Sequence, residues 1–368
     1  MKVFYYNNYP SPYYIGFLNE LGKLCELTVV FERGASSERD SSWKQFSAPN
    51  IHRLVILHGP HVGTDMAFCP QIIRELNRER YDAVVVHDPA SPTGMWLTWY
   101  LKLRKIPFAF QIESGFPGDG KTGLKEKYKH AQNSGAQLYL NAPGGDRCYF
   151  LPYGAPPERV VQYPFASFYR SEILAQPKSQ EEKLAIRRQL GVQEPQVIVS
   201  VGAIIHRKAH DILIKAAKKL PGAVGIYIIG GQATPALRRL VEEYQLQHIH
   251  FVPFMSKEEL WRYYQMADFL AVPTRYDTWG LFVNEAMANG LPVITTNRCG
   301  AGLELIHDGE NGFLVDTEDV DGLAEKINHL LSHPELRARM AQNNLDKIRP
   351  YCYEEQAAVT MAALKRFF

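Results

Sequence analysis

Asp277 and Glu285 are two acids separated by seven residues, Asp277-Thr-Trp-Gly-Leu-Phe-Val-Asn-Glu285, where a strand-like run meets a helix-like one. Phe269 to Val272 reads as the strand and Leu281 to Asn289 as the helix, which Gly290 and Pro292 bring to an end. The spacing puts one acid in the loop and the other in the early turns of the helix, near N–H groups with no partner inside it. Carboxylates take strong hydrogen bonds from sugar hydroxyls, and a helix N-terminus takes anions. The pair suits a nucleotide sugar. An isolated D-x7-E also describes a helix-initiating acid followed by a surface residue, and the two acids alone leave that open.

Further candidates stand at other strand ends. Arg207 and Lys208 close the stretch Val201-Gly-Ala-Ile-Ile-His-Arg-Lys208, after a strand-like run from Gln196 to Gly202. Departure of a diphosphate needs positive charge, which they would supply; a solvated turn before a helix is the alternative. Glu113 follows the strand-like run Phe108 to Ile112, and His87 ends the run Ala83 to His87. A carboxylate there would orient an acceptor hydroxyl, while a structural salt bridge and a satisfied structural histidine remain the plainer readings. Tyr9, Tyr13 and Tyr14, after the first strand, offer rings to a sugar face or to packing. Lys121 to Lys129 is a basic, partly amphipathic segment, suited to a pyrophosphate-linked lipid, an anionic membrane surface, or merely solvent.

The elements that must position these groups alternate. Val3 to Tyr6, Leu27 to Phe31, Leu54 to Leu57, Ala83 to His87 and Phe108 to Ile112 predict buried parallel strands, with helices such as Gly16 to Leu24 and Gln71 to Arg80 between them. Gln137 to Asn141 and Val160 to Tyr163 extend the set. A polar stretch from Pro164 to about Gln189 predicts a linker. A second alternating set follows: strands Gln196 to Gly202, Ala223 to Ile229, His248 to Val252, Phe269 to Val272, Pro292 to Thr295 and Phe313 to Val315, with helices Ala209 to Leu220, Thr234 to Tyr244, Lys257 to Met266 and Leu281 to Asn289. The expected fold is α/β with two Rossmann-like, doubly wound parallel-sheet domains, residues 1–170 and 190–350. The tail from Glu335 reads as helices interrupted near Pro350, the last of which, about 351–368, is expected to return to the first domain.

A length of 368 residues fits two domains. With 41 Lys and Arg against 39 Asp and Glu there is no general field for a polyanion, so nucleic acid is a poor partner. Cys25, Cys69, Cys148, Cys299 and Cys352 form no CxxC pair or metal-like spacing, and an odd number is a poor disulfide framework. The start MKVFYYNNYPSPYY lacks an apolar signal region, and nowhere do about 18 apolar residues run together. The expectation is a cytoplasmic chain, with contact at the inner membrane face left open by the basic segment.

Taken whole, Pro273 to Asp316 resembles the donor-binding region of glycosyltransferase family 4, of GT-B fold, which implies two domains facing a central cleft, residues 1–170 binding the acceptor and 190–350 the donor. Asp277 to Val293 stands for E-x7-E followed by A-M-A-x-G-x-P-V, and Gly300 to Glu304 and Asp308 to Val315 continue the match. The resemblance implies that Asp277, in place of a Glu, contacts the donor sugar, that Glu285 binds the ribose hydroxyls, and that the Thr278 to Leu281 loop brings the N–H groups around Trp279, Gly280 and Leu281 to sugar and phosphates. It also implies that Lys208 neutralises the donor diphosphate. Ala203 replaces the family's arginine, which leaves Arg207 as the nearest substitute, and Glu113 stands where many relatives carry a histidine. By the same resemblance the enzyme transfers a sugar from a nucleotide-sugar donor, UDP-linked by expectation, to a saccharide or lipid-linked acceptor, retaining configuration, without cofactor or divalent metal, in polysaccharide or glycolipid synthesis. A sugar-nucleotide epimerase of the same fold and a non-catalytic sugar-nucleotide binding subunit remain alternatives. A nicotinamide dehydrogenase is the weakest, since no G-x-G-x-x-G follows the first strand.

Overall fold

Ala83-Val-Val-Val-His87 is buried along its whole length, as a strand covered on both faces must be. It is a central strand of one of two parallel sheets in the structure, a computed structural model that describes residues 1–34, 47–62, 66–113, 123–143 and 148–368. Gly115, Lys121 and their neighbours from 114 to 122 lie outside the described residues.

The chain runs β1 (Lys2–Asn7), α1 (Pro12–Gly22), β2 (Glu26–Phe31), β3 (Arg53–Ile56), α2 (Ile72–Leu76), β4 (Ala83–His87), α3 (Pro92–Leu103), β5 (Ala109–Ile112), α4 (Leu124–Asn133), β6 (Leu138–Asn141) and β7 (Val160–Gln162). All seven strands pair in parallel, in the order β3-β2-β1-β4-β5-β6-β7. The second set is α5 (Gln180–Leu190), β8 (Gln196–Val201), α6 (His210–Ala217), β9 (Val224–Ile229), α7 (Pro235–Glu243), β10 (Ile249–Val252), α8 (Lys257–Met266), β11 (Phe269–Ala271), α9 (Leu281–Ala288), β12 (Val293–Thr296), α10 (Gly300–Leu305), β13 (Gly312–Val315), α11 (Val320–Ser332) and α12 (Pro334–Ile348). Its six strands are also parallel, ordered β10-β9-β8-β11-β12-β13. Two compact units result: Met1–Tyr169 with Tyr351–Phe368, and Arg170–Pro350.

The last helix, α13 (Tyr353–Phe367), belongs to the first unit and packs on α1. A methyl group at Gly16 would stand 2.3 Å from the Tyr353 ring, so the helices meet where one has no side chain. Gln356 accepts the N–H of Ala166 at 3.0 Å, tying the returning helix to the chain it left.

Three elements differ from the sequence reading. The first helix starts at Pro12, not Gly16, because Ser11 Oγ accepts the N–H of Tyr14 and proline fits a first turn. The second shrinks from Gln71–Arg80 to Ile72–Leu76. The stretch taken as a linker from Pro164 to about Gln189 holds α5, opened by a Ser179–Glu182 capping box and closed at Gly191 in left-handed conformation. Only Arg187 of α5 is buried, bonded to Asp268 at 2.9 Å, so the apolar stripe that betrays a helix is missing.

In each sheet the strand order reverses once, between β1 and β4 and between β8 and β11. Beyond the carboxyl ends of such strand pairs a crevice opens between loops that diverge to opposite faces of the sheet. Among the described residues no helix is long and apolar enough to cross a membrane.

Candidate functional site

The loops after β8 and β11 meet at the switch point of the second unit. Gly202, at φ 152°, leaves β8, and a side chain there would press on Lys208, whose Cε lies 2.9 Å from the Cβ position. The chain turns through His206 to Lys208, and Ala209, at φ 56°, starts α6. This turn is clamped to the β11 loop. Thr274 Oγ1 and the N–H of Arg275 each donate to the Arg207 carbonyl at 2.9 Å. The Arg275 guanidinium grips both oxygens of Asp211, at 2.9 and 2.7 Å, and donates to the His206 carbonyl at 2.7 Å.

Two cations converge on one acid inside the clamp. Lys208 Nζ lies 2.5 Å from Asp277 Oδ2, and Arg207 Nη1 lies 2.9 Å from the same oxygen. Lys208 and Asp277 are each 8% exposed, so solvent screens this pair little, whereas Arg207 is partly exposed. Lys208 Nζ also sits 4.5 Å from the Phe282 ring centroid, a second favourable surface for its charge. Arg207 therefore reaches the same charge centre as Lys208, and Asp277 shares that centre rather than standing apart from it.

The rest of the β11 loop is fixed through its backbone. Asp277 donates its N–H to Arg298 and accepts from Gly300, and Gly300 must be glycine because the Thr278 carbonyl would lie 2.2 Å from a Cβ there. Trp279 is buried, its indole donating to Asn284 at 2.8 Å, so this residue offers the loop its backbone and not its ring. Gly280, at φ 99°, precedes Leu281 at the start of α9, and no side chain caps the first N–H groups of that helix. Glu285, a turn further on, is held elsewhere: the fully buried Tyr264 donates to it at 2.9 Å. Burial first, and then the Glu285 charge, push the Tyr264 phenol well above its usual pKa, which keeps it a donor.

In the first unit, the switch point gathers two phenols, an imidazole and a carboxylate. The Tyr14 hydroxyl, from α1, lies 2.5 Å from His87 Nε2 and donates to Glu113 Oε1 at 2.7 Å. Tyr13 donates to the same oxygen at 3.3 Å. A phenol has one hydrogen, and a carboxylate only accepts, so His87 must present Nε2–H to Tyr14. The direction His87 → Tyr14 → Glu113 is thereby fixed. His87 Nδ1 then carries a lone pair and finds no partner among the described residues. Burial holds His87 neutral, pulling its pKa down to about 3. Beside it, Asp88 takes a left-handed φ of 57° and its carboxyl is pushed up to about 6, first by burial and then by the Glu32 charge.

The structure brings Arg207, Lys208 and Asp277 to one point and joins Tyr13, Tyr14, His87 and Glu113 in one network. Tyr9 lies in the turn between β1 and α1. Phe282 and Tyr264 escaped the sequence reading, being apolar or aromatic residues in helices with nothing to mark them. Among the described residues no group of three or more His, Cys, Asp or Glu gathers as a metal set would.

Residues 182–347 match the family described as Glycosyl transferases group 1. A D-inositol 3-phosphate glycosyltransferase of Mycobacterium sp. (strain KMS) is 36% identical over 168 residues, 44% of this chain and 38% of that protein. The chain thus matches well under half the length of that relative. An uncharacterized glycosyltransferase of Methanocaldococcus jannaschii is 28% identical over 347 residues, covering 88% of this chain and 86% of that one. Among solved structures, Anabaena HepE in complex with UDP and glucose superposes with a TM-score of 0.77 at 18% identity, over 98% of this chain and 99% of that one. The stretch that resembles the group 1 glycosyl transferases lies wholly within the second unit, and the fold is GT-B.

Proposed function

We propose that this chain is a retaining glycosyltransferase that takes a sugar from a nucleotide-sugar donor, a UDP-sugar first, and attaches it to a hydroxyl of a saccharide or lipid-linked acceptor. The observation that carries the reading is the convergence of Arg207 and Lys208 on Asp277 at the β8/β11 switch point, inside the stretch matched by the group 1 family. Two cations around one buried carboxylate make a site of net positive charge, which suits a leaving diphosphate. The uncapped N-terminus of α9 adds N–H groups for the same anion. The UDP and glucose held by HepE, a protein of the same fold, support this choice of donor.

In the proposed reaction the bond from the anomeric carbon to the diphosphate oxygen breaks as the acceptor oxygen bonds to that carbon from the same face. The acceptor's proton passes to the departing diphosphate. Lys208 and Arg207 hold the charge that develops there, so the step is assigned to the chain's own residues without a divalent metal. Glu285 takes the ribose hydroxyls, its orientation set by Tyr264. Glu113, steadied by Tyr13 and Tyr14, offers a carboxylate to the acceptor hydroxyl. A cytoplasmic place of action and a role in polysaccharide or glycolipid synthesis complete the reading.

A thermal-shift screen against UDP-, GDP- and ADP-sugars tests the donor, since a ligand that binds only the folded chain raises its stability. The expected result is stabilisation by UDP and UDP-sugars. Stabilisation by none of them would overturn the reading, and conversion of a donor to its epimer without any acceptor would replace it with the epimerase.

A further inference from the structure

Large apolar side chains that reach the surface elsewhere, such as Leu24, Val62, Leu184 and Phe254, are scattered along the chain, but α3 and α4 of the first unit carry several close together. On α3, Trp96, Trp99 and Leu103 are 44%, 41% and 82% exposed. Their spacing of three and four residues lines them along one stripe of the helix. On α4, Leu124 and Tyr128 are 87% and 46% exposed, again one turn apart. The helices adjoin: Tyr128 donates to Met95 Sδ at 3.1 Å, and Lys102, over the Trp99 ring, donates to the Gln132 carbonyl at 2.9 Å.

Charge on these two helices is mostly positive. From Pro89 to Ile112 the sequence has no Asp or Glu but carries Lys102, Arg104 and Lys105. On α4, Lys125, Lys127 and Lys129 stand against the single acid Glu126, which Lys129 neutralises at 3.0 Å. Tryptophan, leucine and exposed lysine together describe a surface for the headgroup region of a bilayer. A protein partner fits less well, because lysine is depleted at protein interfaces.

We infer that the α3–α4 face of the first unit docks peripherally on a lipid surface bearing anionic headgroups. Trp96, Trp99, Leu103 and Leu124 enter the interface, and the lysines meet the headgroups. The inference does not depend on sugar transfer: it rests on the exposure and charge of these two helices alone.

The test is sedimentation of the full chain with vesicles of phosphatidylcholine, alone or mixed with phosphatidylglycerol. Binding is expected to the mixed vesicles only and to weaken as salt is raised. Lys125→Glu with Lys127→Glu should lower partitioning by about twentyfold or more, at roughly one factor of five for each charge removed. Trp99→Ser with Leu103→Ser should lower it about tenfold or more. Leu124→Ser, at a mostly exposed helix end, covers the case in which the tryptophan variant fails to fold. No binding, equal binding to both vesicles, or parental binding by Leu124→Ser and the lysine variant would each overturn the inference. A dimer that Trp99→Ser dissociates, without vesicle binding, would overturn it in favour of a second copy. Stabilisation by UDP, followed in parallel, should be unchanged in every variant, so loss of membrane binding and failure of the donor reading are separate results.

Discussion

The two units share a topology and differ in what they place at its reversal. At β8/β11 the crevice holds two cations on a buried carboxylate, while at β1/β4 a neutral imidazole and two phenols lead to a carboxylate. Backbone order explains why both clusters lie where they do, since loops diverge at the reversal in either sheet. It says nothing of their chemistry, which the loop side chains decide. On the proposed reading the charged cluster takes up the diphosphate and the hydrogen-bonded one meets a hydroxyl, which needs direction more than charge.

Removing the charge should separate the two most strongly. Lys208→Ala is expected to lower kcat/KM for sugar transfer by about a hundredfold or more, the scale of losing one donor to a developing anion. Arg207→Ala, more exposed, should cost about tenfold. Near-normal turnover in Lys208→Ala would end the assignment of the leaving group to this cluster. In the other unit, Glu113→Gln should lower kcat by between about ten and a hundredfold. Stabilisation by UDP should stay at its parental value in that variant, and a loss of UDP binding would show that the division of labour between the units is wrong.

Asp277→Asn sharpens the charged side further. Losing one partner from a buried pair leaves Lys208 uncompensated, so the variant without ligand should melt at a lower temperature. A diphosphate would restore the balance, and with no carboxylate competing for Lys208 the rise in Tm on adding UDP should exceed that of the parent. A smaller rise would mean that Asp277 holds the cations in place for the donor and does not compete with it.

The sheets were legible because runs such as Ala83-Val-Val-Val-His87 and Gln196 to Val201 announce themselves by composition and by the turn residues after them. What stayed hidden were contacts across long stretches of chain. Tyr14 and Glu113 are 99 positions apart and Lys208 and Asp277 are 69, so no spacing rule joins them. The sequence therefore offered Asp277 to the sugar and Lys208 to the diphosphate as separate tasks, where the fold makes them one ion pair. Helix α5 was missed for a different reason: its capping box lies in a polar stretch with almost no buried face, and local hydrogen bonding carries it.

The smallest effects lie on the neutral side. Tyr14→Phe removes one donor from Glu113 while keeping the ring packed, and about a fivefold fall in kcat is expected, at the scale of one ordinary hydrogen bond, since Tyr13 still donates to the same oxygen. His87→Gln should change turnover at neutral pH less still, because His87 is already uncharged there. Its signature is in stability. The unfolded chain protonates His87 near pH 6.5, while the folded chain resists to about 3. Below 6.5 the unfolded state then binds more protons, and the parent loses stability as pH falls toward 3. Asp88 acts oppositely, since its raised pKa lets the folded state take the extra proton between about 6 and its ordinary value. Comparing parent with His87→Gln by denaturant unfolding cancels the Asp88 contribution. Between pH 6.5 and 5 the parent should lose about 2 kcal/mol relative to the variant. Parallel curves would mean that His87 takes a proton in the folded chain, and the neutral character of this site would be lost with it.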